Sequence, residues 1–121
     1  MPYWKMTFSC IDGWYLEGRA SRVCIMSADT SLDDLCDEVL ASFDFDNDHL
    51  HAFYVGRTHG AGGNRQEVLN EQTTLREIFP LPTSYALFMN FDFGDNWWFK
   101  ITRTKVLSDY DGDAPVIISL S

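Results

Sequence analysis

Four residues of this chain could bind a metal or move a proton: His49 and His51, and the carboxylates Asp92 and Asp95 either side of Gly94. On a strand, alternate side chains share a face. If His49 to Val55 is extended, both imidazoles can meet one ion, with Asp92 or Asp95 as an oxygen ligand. The pattern therefore offers a divalent-metal site at His49, His51, Asp92 and Asp95, and with it a metal-binding protein or metal-dependent hydrolase. A plainer arrangement competes, in which one histidine is buried and hydrogen-bonded while the other is solvated. A metal site also needs further ligands and outer partners that orient them, so no cofactor is the first expectation. Asp92 and Asp95 could likewise form an acid–base pair, because close carboxylates push one pKa up. Carboxylates flanking a glycine turn more often accept hydrogen bonds from turn amides, and that is the reading preferred here.

Other catalytic patterns fail on inspection. Asp92-Phe93-Gly94 matches the metal-binding triplet of protein kinases, but no glycine-rich loop with a following strand lysine and no His-Arg-Asp loop accompany it. Gly56 to Arg65 has no Gly-Lys-Ser or Gly-Lys-Thr, so it is not a phosphate loop. No serine or cysteine has an evident neighbouring base, and nucleophilic catalysis has no support. The expectation leans away from an enzyme.

The stretch Asn90 to Phe99 packs five aromatic residues around Gly94. Tyr85 to Phe93 reads as a strand, Gly94 to Asn96 as a turn with glycine supplying the positive φ that Asp and Asn also tolerate, and Trp97 to Val106 as the return strand. Trp97 and Trp98 must then point to opposite faces, so at most one joins the main core. An exposed aromatic groove near Trp97, Trp98 and Phe99 would suit a partner protein or peptide, since binding surfaces favour tryptophan.

Upstream, Trp4, Met6 and Phe8 alternate with Lys5, Thr7 and Ser9, which predicts a strand over Tyr3 to Cys10. Asp12-Gly13 marks a turn, and Trp14 to Met26 reads as a second strand interrupted near Gly18. Leu32, Leu35, Cys36, Val39, Leu40 and Phe43 lie at helical spacing between Ser31 and Phe43, with Thr30 or Ser31 as cap and Asp33 and Asp34 complementing the helix dipole. Gly56 to Gln72 reads as a long mobile surface loop. Thr74 to Glu77 has capping-box spacing and opens a short helix that ends at Phe79, before Pro80. Val116 to Leu120 resembles the beginning of a strand.

These elements predict a single α+β domain with a mixed, mainly antiparallel sheet, one long and one short helix on one face, and a β-grasp-like order. A chain of 121 residues with 45% hydrophobic and 15% aromatic content has one real core and no case for disorder. The net charge of −9 argues against general nucleic-acid binding, because phosphates are held by Lys and Arg. Arg57, Arg65, Lys100, Arg103 and Lys105 could gather into a basic patch; scattered solubilising charge is preferred because no basic run exists. Three cysteines without paired spacing (Cys10, Cys24 and Cys36), and no visible export signal or membrane-length apolar run, predict a cytoplasmic protein with buried thiols and no membrane partner.

The chain resembles the plasmid pRiA4b ORF-three-like family. The resemblance rests on the helix Leu32, Leu35, Val39, Leu40, Phe43; on Asp48-His49-Leu50-His51-Ala52-Phe53; on Thr74-Leu75-Arg76-Glu77-Ile78-Phe79; and on Tyr85 through Asp95 with Trp97. It implies a small α+β domain, 1–121, without established activity or transferable catalytic residues, often encoded beside plasmid or transposon genes. Many members extend further after the last aromatic strand, which predicts a missing C-terminal segment; the glycines at 56–63 look particular to this chain. The leading expectation is a non-enzymatic module, associated with mobile elements, that holds a protein or peptide partner. Metal chemistry is the alternative and a nucleic-acid accessory role comes third.

Overall fold

The structure, a computed structural model, describes residues 2–13, 16, 18, 20–60 and 65–121. In chain order these form β1 (Tyr3–Asp12), β2 (Ala20–Ser27), α1 (Leu32–Ser42), β3 (His51–Gly56), β4 (Arg65–Val68), α2 (Leu75–Ile78), β5 (Ala86–Phe91), β6 (Trp97–Leu107) and β7 (Val116–Leu120). The strands make one seven-stranded sheet in the order β4-β3-β5-β6-β1-β2-β7. Every pairing is antiparallel, so the mixed sheet expected from sequence is corrected to a fully antiparallel one. The cause is connectivity. β1–β2, β3–β4 and β5–β6 are sequential antiparallel neighbours, and the connection through α1 joins strands that are not adjacent, whereas a parallel pair needs a crossover between neighbours. The architecture is a sheet-rich α+β domain, and the opening hairpin followed by a helix is present as expected.

α1 forms where its apolar stripe demanded. Leu32, Leu35, Cys36, Val39 and Leu40 are buried, and Ser31 caps the helix by accepting the Asp34 amide at 3.2 Å. Against this stripe the sheet presents Trp4, Met6 and Phe8 of β1, Cys24 and Met26 of β2, Phe53 of β3, Leu87, Met89 and Phe91 of β5, and Phe99 and Ile101 of β6. Each such side chain contributes roughly 1.5–3 kcal/mol by leaving water, which is what holds an 11-residue helix that would be marginal alone. α2 is a single turn halted before Pro80. Its capping box does not form, because Thr74 makes no side-chain cap hydrogen bond.

Three boundaries differ from the sequence reading. β3 starts at His51, leaving His49 outside the strand. Within the segment expected as a mobile loop, Arg65–Val68 forms β4 and pairs with β3 in register from Phe53↔Val68 to Gly56↔Arg65; residues 61–64 of that expected loop lie outside the described residues. This strand is short and polar, so no alternation betrayed it. The second strand is described from Ala20; Gly18 at φ +89° agrees with the expected interruption, and residues 14, 15, 17 and 19 lie outside the described set.

Candidate functional site

The four residues expected to share a metal do not converge. His49, half exposed ahead of β3, approaches Asp92 at 3.6 Å and Asp48 at 3.5 Å. His51 turns instead to Glu71, with Nε2 and Oε1 at 2.5 Å, and lies edge-on to Phe53. The alternation that was to align the imidazoles is lost because His49 is not in the strand. Among the described residues no group of three or more His, Cys, Asp or Glu is placed to hold a metal ion. Glu71 has a structural neighbour: its carbonyl accepts the Asp33 amide at 3.0 Å while Thr73 accepts that of Leu32 at 2.9 Å. The His51–Glu71 contact thus anchors the segment that finishes the N-terminus of α1.

The acidic bend is likewise an architectural knot. Asp92 Oδ1 accepts the Asp95 amide at 3.4 Å, the arrangement favoured from sequence. The left-handed positions are Asp92 (φ 55°) and Asn96 (φ 57°), in place of the expected Gly94. Asn96 Oδ1 accepts from Trp98 Nε1 at 3.0 Å and from buried Asn90 Nδ2 at 3.1 Å, and Asn90 also donates to the Trp97 carbonyl at 3.0 Å. Each buried polar group is therefore satisfied.

Trp97, Trp98 and Phe99 do not line one groove. Phe99 is wholly buried in the main core and Trp97 packs against that core beside Phe45, with ring centroids 5.0 Å apart. Trp98 points to the opposite, helix-free face, where it joins Phe88 and Ala86 with Ile11 and Tyr54 against them. Successive strand residues face opposite ways, so three consecutive residues could never have shared a surface.

The helix-free face around Trp98 holds the most unusual constellation of the molecule. Arg65 reaches in from β4 and lays its guanidinium over Tyr54 (4.3 Å to the centroid) and Trp98 (5.2 Å). His59 stacks near Trp98 (5.3 Å) and Phe88 (6.0 Å). Arg65 Nη1 donates to the His59 carbonyl at 2.6 Å, and His59 Nε2 meets Asp12 Oδ2 at 3.1 Å. Hydrogen bonding from His59 holds the Asp12 carboxyl below its usual 3.8. The guanidinium is thereby preset by stacking, with a carbonyl for its one hydrogen-bond partner and no carboxylate within ion-pair distance among the described residues.

Charge follows the same division. The strands carry Lys5, Arg22, Arg65, Lys100, Arg103 and Lys105, six of the nine basic residues, but of eighteen acidic residues only Asp12 and Glu67. Arg22 and Arg103 lie over Phe43 and Trp4 on the helix side. Lys5, Lys100 and Lys105 belong to the helix-free side, since Lys5 and Lys100 alternate with core residues and Lys105 is the cross-strand partner of Lys5. Together with Arg65 they flank hydroxyls of Thr7, Thr102, Ser9 and Ser21, which are cross-strand neighbours. The scattered charge expected from sequence is thus gathered by the tertiary structure. Conversely, no Lys or Arg occurs between Arg22 and Arg57, while α1 and the turn after it carry Asp33, Asp34, Asp37, Glu38, Asp44, Asp46 and Asp48. Glu38 is pushed up in pKa by burial and by Asp37 and Asp34.

The three cysteines are free and buried, with burial raising the thiols to about 11 for Cys10 and Cys24 and about 12 for Cys36. They are inert as nucleophiles. No described helix is long and apolar enough to cross a membrane.

A family model described as plasmid pRiA4b ORF-3-like protein matches residues 16–119. The chain belongs to this family. Among solved structures, the protein of unknown function MM3350 from Methanosarcina mazei Go1 superposes with a TM-score of 0.76 at 18% identity, covering 98% of this chain and 69% of its own. That likeness supports the fold alone. Comparison with curated proteins finds no match. Residues 16–119 include β2 through almost all of β7, hence Tyr54, His59, Arg65, Phe88, Trp98 and Lys100, but not β1 with Asp12. The sequence reading missed His59, Tyr54 and Phe88 as neighbours of Trp98. The available signal was alternation: Tyr54 and Phe88 occupy the same face parity in β3 and β5 once the strand register is known.

Proposed function

We propose that this family member is a non-enzymatic docking module, and that its helix-free sheet face holds an acidic segment of a partner protein. The observation that carries the reading is the balance of charge: a protein of net charge −9 keeps Lys5, Lys100, Lys105 and Arg65 on one face, against only two carboxylates from the strands, Glu67 and Asp12, the latter held by His59. An acidic partner would be steered to this face and turned away from the helix side. Arg65, preset over Tyr54 and Trp98, would supply a planar fork for a carboxylate, and the Thr and Ser hydroxyls would take backbone or side-chain hydrogen bonds. This reading needs no cofactor. The free, buried thiols suit a reducing cytoplasm. The plasmid named in the family description supports reading the module as an accessory of mobile elements.

The test is an amide-shift NMR titration with a heptapeptide alternating Glu and Leu, with its Gln-for-Glu analogue, and with oligothymidylate. Saturable shifts at Lys5, Lys100, Thr102 and Arg65 with the Glu peptide alone support the proposal. Lys100→Glu should then weaken binding at least about tenfold, or 1.4 kcal/mol. Equal binding of the Gln peptide, or tighter binding of oligothymidylate at the same salt, overturns it.

A further inference from the structure

From Ile78 to Phe91 the chain carries no charged residue, and Pro80 and Pro82 restrict the path it takes from α2 to β5. Phe79 is buried edge-on to Trp4 at 6.2 Å, and the Tyr85 amide closes a turn on the Pro82 carbonyl at 3.0 Å. Between this segment and β6 lies a pocket of about 240 Å³, lined by Phe79, Pro80, Leu81, Tyr85, Thr102 and Arg103. Phe79, Pro80 and Leu81 make one wall apolar. Arg103 lies over the Trp4 indole at 4.7 Å, which fixes the plane of its guanidinium. A second guanidinium, that of Arg57, lies over the Tyr85 ring at 5.5 Å.

These two arginines differ from the other described ones. Arg22, Arg65 and Arg76 each donate a hydrogen bond to the protein, whereas Arg57 and Arg103 make neither a hydrogen bond nor an ion pair among the described residues. β6 adds Lys100 and Lys105 but no carboxylate, and residues 61–64, next along the chain from Arg57, are uncharged. A guanidinium stacked on one face keeps its N–H edge free for a planar acceptor. The ligand follows from the two walls together. An inorganic anion would leave Phe79, Pro80 and Leu81 without contact, and a neutral hydrocarbon would leave the arginine fork unpaired. We infer that this pocket is a small-molecule site for a carboxylate carried on a compact aromatic body. Arg103 pairs with the carboxylate, Arg57 adds positive potential beside Tyr85, and the apolar wall takes the ring. The site lies on the helix side of the sheet and is independent of the face proposed above for an acidic partner.

The probe is phenylacetate, titrated into the full chain and followed by amide shifts, with benzyl alcohol and inorganic phosphate as comparisons. Saturable shifts at Leu81, Tyr85 and Arg103 are expected with phenylacetate, and binding weaker by about tenfold or more with either comparison. Arg103→Gln should lose about tenfold in affinity. Because Arg103 covers Trp4, its thermal melt is compared with that of the parent; should the variant unfold, Arg57→Glu at an exposed position decides, and it too should weaken binding. Equal binding of benzyl alcohol, tighter binding of phosphate (an adventitious ion only), unaltered affinity in the folded variants, or no saturable shift at these three residues would each overturn the assignment. The Glu–Leu peptide is read at Lys5 and Lys100 and phenylacetate at Leu81 and Tyr85, so the two proposals fail separately.

Discussion

The helix-covered and helix-free faces of the sheet both bury aromatic rings, with opposite chemistry above them. On the covered side Phe8, Phe53, Phe91 and Phe99 close against aliphatic side chains of α1 and α2. On the other side Phe88 and Trp98 are roofed by a guanidinium and an imidazole. An apolar lid resists removal because every displaced methylene returns to water. A lid of long polar side chains can swing aside at small cost, because its charged ends lose little on reaching solvent. One face is therefore built for stability and the other can exchange contacts.

Substitutions can break or sharpen this contrast. The largest effect is expected at Leu35, wholly buried under the helix: Leu35→Ala should cost about 2–5 kcal/mol in urea unfolding, and a loss within about 0.5 kcal/mol would deny the covered face its role. Next comes Gly13, where any Cβ would overlap the Trp97 indole. Gly13→Ala should destabilise by about 1–3 kcal/mol and alter tryptophan emission, since a packed ring must move. On the helix-free face Arg65→Ala should cost no more than about 0.5–1 kcal/mol, the scale of an exposed cation–π contact; a loss near that of Leu35→Ala would make Trp98 core and remove it from any docking surface.

The smallest effect concerns pH. The Asp12 carboxyl is held below its ordinary 3.8 chiefly by the hydrogen bond from His59. A carboxyl depressed in the fold adds stability above its unfolded value, and that contribution disappears as pH falls through the folded value. Asp12 is largely exposed, so its own titration is the sensitive readout and the change in stability is slight. His59→Ala should return Asp12 toward 3.8 in a carboxyl-carbon NMR titration, and an unmoved value would show that the histidine does not clasp the strand end.

Legibility varied with the range of the interactions involved. α1 was readable because burial of Leu32, Leu35, Val39 and Leu40 imposes its period on adjacent sequence. The opposed directions of Trp97 and Trp98 were readable for the same reason, since strand alternation is local. β4 was not, because an edge strand of Arg-Gln-Glu-Val owes its extended form to pairing with β3 and not to its own residues. The proposed grouping of His49 with His51 failed on a boundary of two residues, enough to cancel the parity on which it rested. The positive φ of Asp92 and Asn96 was half visible: a turn was plain, but which residues turned left depended on the hydrogen bonds that Asn90 and Trp98 direct at Asn96.

Taken alone, the order of residues determined the helix, most strands, the aromatic hairpin, the buried thiols and the family, all set by local period, by composition or by motif order. Only the tertiary structure decided which charges share a surface. Lys5 and Lys105 lie a hundred residues apart and become cross-strand partners through the β1–β6 register, and Arg65 meets Trp98 only because the sheet order leaves just β3 and β5 between β4 and β6. Register is a pairwise property of distant segments, fixed by the whole sheet closing over its core, and no single stretch of chain encodes it.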